Sequence, residues 1–219
     1  DFTSPVCEIL ILITGGWLVE PKRVRFVFEL PWSLDVMTMR DKLLYFLGFP
    51  AGHGAVDSPF GAMWLMGPAI AVGLDLSSSQ IGLMFTIMIF AGGITHIPAG
   101  LIGETRWRGV FLASTFLWVA SSFLIATFMQ DYRKFFIFVA FGAAGAAAWH
   151  PVAMGTLAEK MPTRKGFALG LHHLGGGVAE VIAPIGAGFL LGFLAWHHVI
   201  QIAVIPSIVL GLVFLIVSR

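Results

Sequence analysis

The chain has 219 residues, of which 58% are hydrophobic and 11% charged, with a mean hydropathy of +0.89. That composition excludes an ordinary soluble domain and points to an all-α integral membrane protein. Its 13 Lys and Arg against 12 Asp and Glu give no basic surface for nucleic acid, and the lone Cys7 matches no disulfide, zinc or thiol-redox spacing.

Residues 1–36 come first, as an amino-terminal extension of unclear role. The apolar run from Val6 to Val19 is too short to span a bilayer comfortably and is followed by Lys22, Arg23 and Arg25. Such a segment suits the membrane surface, and the order of charge and apolar run is the reverse of a signal peptide's. Without an initiator methionine the chain reads as a fragment or processed form, with Met37 or Met39 as a natural start.

Residues 37–219 then form a bundle of six transmembrane helices. The apolar spans run at 44–73, 80–103, 108–129, 135–157, 166–193 and 198–217, each near the ~20 residues needed to cross a bilayer. Asp75-Leu76-Ser77-Ser78-Ser79-Gln80 predicts a turn entering a helix cap, and Met161-Pro162-Thr163-Arg164-Lys165-Gly166 a basic loop. Short connections make sequential helices antiparallel neighbours. Arg40, Lys42, Arg106, Arg108, Lys160, Arg164, Lys165 and Arg219 fall on one side, so the positive-inside rule places both termini in the cytoplasm of an inner (plasma) membrane protein.

The first span sets His53 and Asp57 one helical turn apart, where they can hydrogen-bond. Its prolines and glycines imply a loosened helix beside protein or a cavity. On the second span Gly92, His96, Gly100 and Gly103 share a face suited to close helix approach, with His96 a candidate donor to a neighbouring carbonyl. The third is a supporting helix. The fourth carries a slim run ending in Trp149-His150-Pro151, with a bend that places His150 at its elbow.

On the fifth span Gly166, Gly170, His173, Gly177, Glu180, Pro184 and Gly188 recur every three or four residues as one stripe. Ionisable residues at this depth are expensive in lipid and mark function. His173 and Glu180 stand about 10 Å apart along the helix, which suggests a proton relay and not a direct salt bridge. Histidines with nearby proline in spans 1 and 4, and glycine-flanked histidines in spans 2 and 5, suggest a 3+3 repeat of the kind transporters use.

The run Gly145 to Pro151, the segment Glu159 to Gly170, His173-Leu174-Gly175-Gly176 and Ala183-Pro184 resemble the fourth and fifth helices of the major facilitator superfamily. The nearest resemblance is to its fosmidomycin-resistance-like efflux group, whose first helix His53-Gly54-x-x-Asp57 also resembles. The likeness covers about residues 44–217 and implies the amino-terminal half of a twelve-helix transporter. In the loop after the second helix Gly100, the acidic Glu104 and Arg108 follow the family pattern and Arg106 lies among them, whereas Thr105 and Trp107 depart from it. Pro184 fits the fifth-helix antiporter motif, and Glu180 lies outside it.

The expectation is a secondary active transporter that couples efflux of a small molecule to proton flow. His53, Asp57, His150, His173 and Glu180 would serve cavity and coupling, and Gly100, Glu104, Arg106, Arg108, Pro151 and Pro184 gate and motif. The partners are the bilayer, a small-molecule substrate and a second six-helix half, supplied by a missing carboxy-terminal half or a dimer partner; no cofactor or metal is implied. The alternative is a non-transporting membrane scaffold. The doublets His172-His173 and His197-His198 do not make the histidine boxes of a di-iron enzyme, and no serine has the setting of an intramembrane protease.

Overall fold

The computed structural model describes residues 38–217, so the expected extension lies outside the described residues. The first helix opens where Thr38 and Asp41 form a capping box: Thr38 Oγ1 accepts from the Asp41 amide and the Asp41 carboxylate accepts from the Thr38 amide. Helix α1 (Met39–Leu43) runs through a π-helical turn (Leu44–Gly48) into α2 (Phe49–Gly73). Asp75 takes a left-handed φ of 52° in the turn that follows. Ser77 and Gln80 then build a second capping box at the start of α3 (Ser78–Gly103), as the cap expected there requires.

Helix α4 (Arg108–Ala126) leads to α5 (Tyr132–Lys160), whose first amides donate to the Asp131 carboxylate. A short 3-10 turn over Pro162–Arg164 opens α6 (Lys165–Leu191), and α7 (Trp196–Ala203) with α8 (Ile205–Val217) closes the described chain. Among the described residues five segments are long and apolar enough to cross a membrane: α3, α4, α5, the 3-10 turn with α6, and α7 with α8. The 25-residue α2 is not among them. Its glycines, prolines, His53 and Asp57 dilute its hydropathy, and it packs on all the long helices around it.

Two close helix pairings organise the bundle, α2 with α6 and α3 with α5. In the first, a Cβ on Gly175 would collide with the Pro50 backbone and one on Gly176 with the His53 ring. The packing glycines of α6 are therefore this pair. Among the described residues Gly166, Gly170 and Gly177 of the expected stripe would meet nothing within 4 Å, whereas Gly188 of the same stripe approaches Leu65 of α2. In the second pairing Gly92 and Gly103 lie against Ala147 and Val152, so the glycine face of α3 does serve close approach.

Trp149 is fully buried and gathers Phe116, Phe214 and Phe49 around it, with ring centroids at 4.5, 5.3 and 5.8 Å. This aromatic centre joins α2, α4, α5 and α8. Gly52 makes room for it, since a Cβ there would lie 2.7 Å from the indole. Buried Ser207 donates to the Ala55 carbonyl at 2.6 Å and fixes α8 to α2. Helix α5 carries Pro151 in its interior and continues to Lys160, three residues past the expected end of the span. Its bulk on one face and His150 on another let a single helix serve both core and site.

Candidate functional site

Asp57 is held between two imidazoles from different helices. His53 Nε2, one turn back on α2, lies 3.1 Å from Asp57 Oδ2. His150 Nε2 of α5 lies 3.3 Å from the other carboxylate oxygen.

His53 also has a partner on α6, with Nδ1 2.9 Å from the carbonyl oxygen of His172. A carbonyl only accepts, so Nδ1 carries the hydrogen. A neutral imidazole has no second N–H, and its Nε2 lone pair then faces a carboxylate. That contact is attractive when a proton, carried by the imidazole or by the carboxyl, or a metal ion lies between the two.

His172 completes the group. It is 0% exposed, and among the described residues neither of its ring nitrogens has a hydrogen-bond partner of good geometry. The ring stacks on His53 with centroids 4.3 Å apart. One ring nitrogen from each of His53, His150 and His172 lies within 4.8 Å of the others. These residues could hold a metal, although linear spacing implied none.

Asp57 and His150 open onto a cavity of about 500 Å³, whose wall also includes Phe60, Trp64, His96 and Glu180. Trp64 is fixed by flat stacking on Phe85 at 4.2 Å. The His96 ring donates to the Gly92 carbonyl of its own helix at 2.9 Å, not to a neighbouring helix. Glu180 is exposed on the cavity wall and forms no hydrogen bond or ion pair among the described residues. Pro184 lines the cavity beyond it.

His173 is exposed, and its ring contacts His53 at 5.6 Å between centroids. No hydrogen bond joins it to Glu180 among the described residues. The two histidines of the doublet are thus divided, His172 into the helix contact and His173 toward its edge. Adjacent residues on a helix point about 100° apart, which is why both cannot occupy the contact.

Of the expected gate and motif residues, Glu104, Arg106 and Arg108 lie at one end of α3 and α4, whereas Pro184 lies on α6. Arg108 grips Glu159 with both guanidinium branches, Nη2 to Oε1 at 2.8 Å. Lys160 Nζ lies 3.6 Å from the same carboxylate. Arg106 sits 5.0 Å above the Trp107 ring, and Glu104 is exposed at the end of α3. Gly100 faces Pro151 at the crossing of α3 and α5. Glu159 is the partner that the sequence did not single out.

Known proteins resemble the chain in sequence and, in one solved structure, in fold. The chain is 27% identical over 159 residues to the SVOPL protein of Homo sapiens, covering 68% of this chain and 30% of that protein. It is 23% identical over 147 residues to a protein of Cupriavidus pinatubonensis named "Probable 4-methylmuconolactone transporter", covering 65% and 34%. The chain therefore spans about a third of the length of these relatives, and their transporter names point away from an enzyme. In fold it is similar to a bacterial homolog of the human lysosomal transporter Spinster, solved inward-facing and unoccupied, with a TM-score of 0.69 at 16% identity over 81% of this chain and 43% of that one. The sequence profile of the Major Facilitator Superfamily matches residues 55–219, and the chain belongs to that family.

Proposed function

We propose that the chain is one six-helix half of a secondary active transporter, which exports a small molecule by alternating access in exchange for protons. The paired contacts of α2 with α6 and α3 with α5 support a 3+3 repeat, in which the two three-helix units exchange equivalent neighbours. A second six-helix half would cover the open stripe of α6 and complete the cavity. The basic residues at the Arg108 end support a cytoplasmic placement for that end and both termini. The resemblance to the fosmidomycin-resistance-like group supports export as the direction.

The observation that carries the reading is Glu180, a carboxylate with no hydrogen bond or ion pair among the described residues, on the wall of a cavity within apolar helices. A carboxylate there is costly unless a proton or a substrate neutralises it. Alternate exposure to the two sides lets it load a proton on one and release it on the other. The other titratable groups on the wall are Asp57 of α2, His96 of α3 and His150 of α5. The test is flux in proteoliposomes across an imposed pH gradient, using the complete gene product and a broad compound panel. Glu180→Gln abolishes gradient-driven flux in this scheme. Unchanged pH dependence in that variant overturns the coupling, and no flux from the wild type turns the assignment to a scaffold.

A further inference from the structure

We infer that His53, His150, His172 and Asp57 form a binding site for a divalent transition-metal ion of the Zn²⁺ or Co²⁺ type. The inference is separate from proton-coupled transport, since it needs neither a gradient nor a second half. Three observations lead to it.

The first is spacing. Ligands at about 2.0–2.1 Å from a tetrahedral Zn²⁺ lie about 3.3–3.4 Å from one another. The Asp57 oxygens stand 3.1 Å from His53 Nε2 and 3.3 Å from His150 Nε2, already at that separation. The three histidine nitrogens fall within 4.8 Å of one another, so a closure of at most about 1.5 Å brings them to ligand distance among themselves, and Asp57, already beside His53 and His150, meets His172 only as that ring moves in.

The second is orientation. Metal-bound imidazoles commonly donate their other N–H to a carbonyl, which fixes the tautomer and aims the free nitrogen. His53 does this through Nδ1 and the His172 carbonyl, leaving Nε2 as the ligand. The bond also ties α2 to α6, so two ligand-bearing helices are held in register by a contact outside the metal's own bonds.

The third is the enclosed ring. His172 is 0% exposed, and among the described residues neither of its nitrogens has a hydrogen-bond partner of good geometry. A proton shared among His53, Asp57 and His150 leaves His172 unused, whereas a metal ion uses it. Three imidazoles and a carboxylate suit a borderline ion and disfavour Mg²⁺ or Ca²⁺, which prefer all-oxygen sites. Asp57 and His150 line the cavity and give the ion its route in.

The test is optical titration of the purified full chain in detergent with Co²⁺. A tetrahedral site yields visible d–d bands that saturate near one ion per chain, vanish on adding Zn²⁺ and withstand Mg²⁺. H172A and H150Q each weaken binding at least tenfold. The H197A/H198A variant, which removes the doublet of α7, leaves the bands intact. Circular dichroism establishes that each titrated chain is helical, and H150Q serves if H172A does not fold. Absence of bands in the helical wild-type chain overturns the site, as do bands that persist in both His172 and His150 variants or disappear with the α7 doublet.

Discussion

The Nδ1 atom of His53 lies 2.9 Å from the carbonyl oxygen of His172, so one imidazole both joins α2 to α6 and presents its other nitrogen to Asp57. The ring has room because Gly176 has no Cβ. A Cβ there would come within 2.7 Å of the His53 Cδ2 and Cε1 atoms. Gly176→Ala displaces the ring or separates the helices and costs about 1–3 kcal/mol by overpacking. Gly177→Ala meets nothing within 4 Å and is neutral or stabilising by roughly 0.5–1 kcal/mol. Thermal unfolding of the two variants in detergent checks the contrast, and equal melting temperatures contradict it.

Asp57 contributes one oxygen to each of two imidazoles, so its amide isostere is not neutral. Asp57→Asn retains one acceptor and turns an NH₂ group toward the second ring. A partly broken buried network of this kind costs about 1–3 kcal/mol. The same thermal assay reads the loss, and a wild-type melting temperature would show that the carboxylate does not hold α2 to α5.

How much of this site is legible in the sequence differs residue by residue. His53 and Asp57 were accessible because four-residue spacing places two side chains together on any helix. His150 was accessible through Trp149-His150-Pro151. His172 was not, since a histidine doublet presents two directions and linear spacing does not say which one meets α2. The available signal was the adjoining Gly175-Gly176 pair, the close-approach face of α6, on which His172 rather than His173 falls. Five apolar spans are likewise readable from hydropathy, whereas α2, expected as a sixth, is packed amid other helices and carries the polar site. Burial in protein relaxes the demand for an apolar helix that lipid imposes.

Arg108 and Glu159 illustrate a contact that depends on the crossing of α4 and α5, with 51 residues between the partners. Their side chains are 26% and 54% exposed, so the pair is a weak, solvent-screened link. Arg108→Glu places two acidic groups together and lowers the melting temperature. The reversal R108E/E159R restores most of the loss, though not the bidentate geometry if Lys160 competes for the new carboxylate. A double-mutant cycle with no coupling energy excludes the ion pair as a link between these helices.

Ser207 tests a smaller tie between α8 and α2. Its hydroxyl donates to the Ala55 carbonyl at 2.6 Å in a buried contact. Hydrogen bonds between membrane helices contribute about 0.6 kcal/mol on average, because the separated helices find other partners. Ser207→Ala therefore produces a small loss of stability, while Ser207→Val adds the strain of extra volume against α2. If Ser207→Ala is as damaging as Ser207→Val, the hydroxyl carries more than an average interhelical bond.

Glu180 separates function from folding more sharply than any of these. Its carboxylate lines the cavity and has no hydrogen bond or ion pair among the described residues. Removing its charge therefore sacrifices no fixed contact within the bundle, and Glu180→Gln has a melting temperature equal to or above that of the wild type. The same substitution abolishes proton-driven flux if Glu180 carries the coupling proton. Glu180→Asp shortens the side chain and retains titration, so it keeps gradient dependence at a reduced rate. A Glu180→Gln protein that is destabilised by several kcal/mol instead identifies the carboxylate as a packing anchor, because only a group with strong native partners can impose so large a loss.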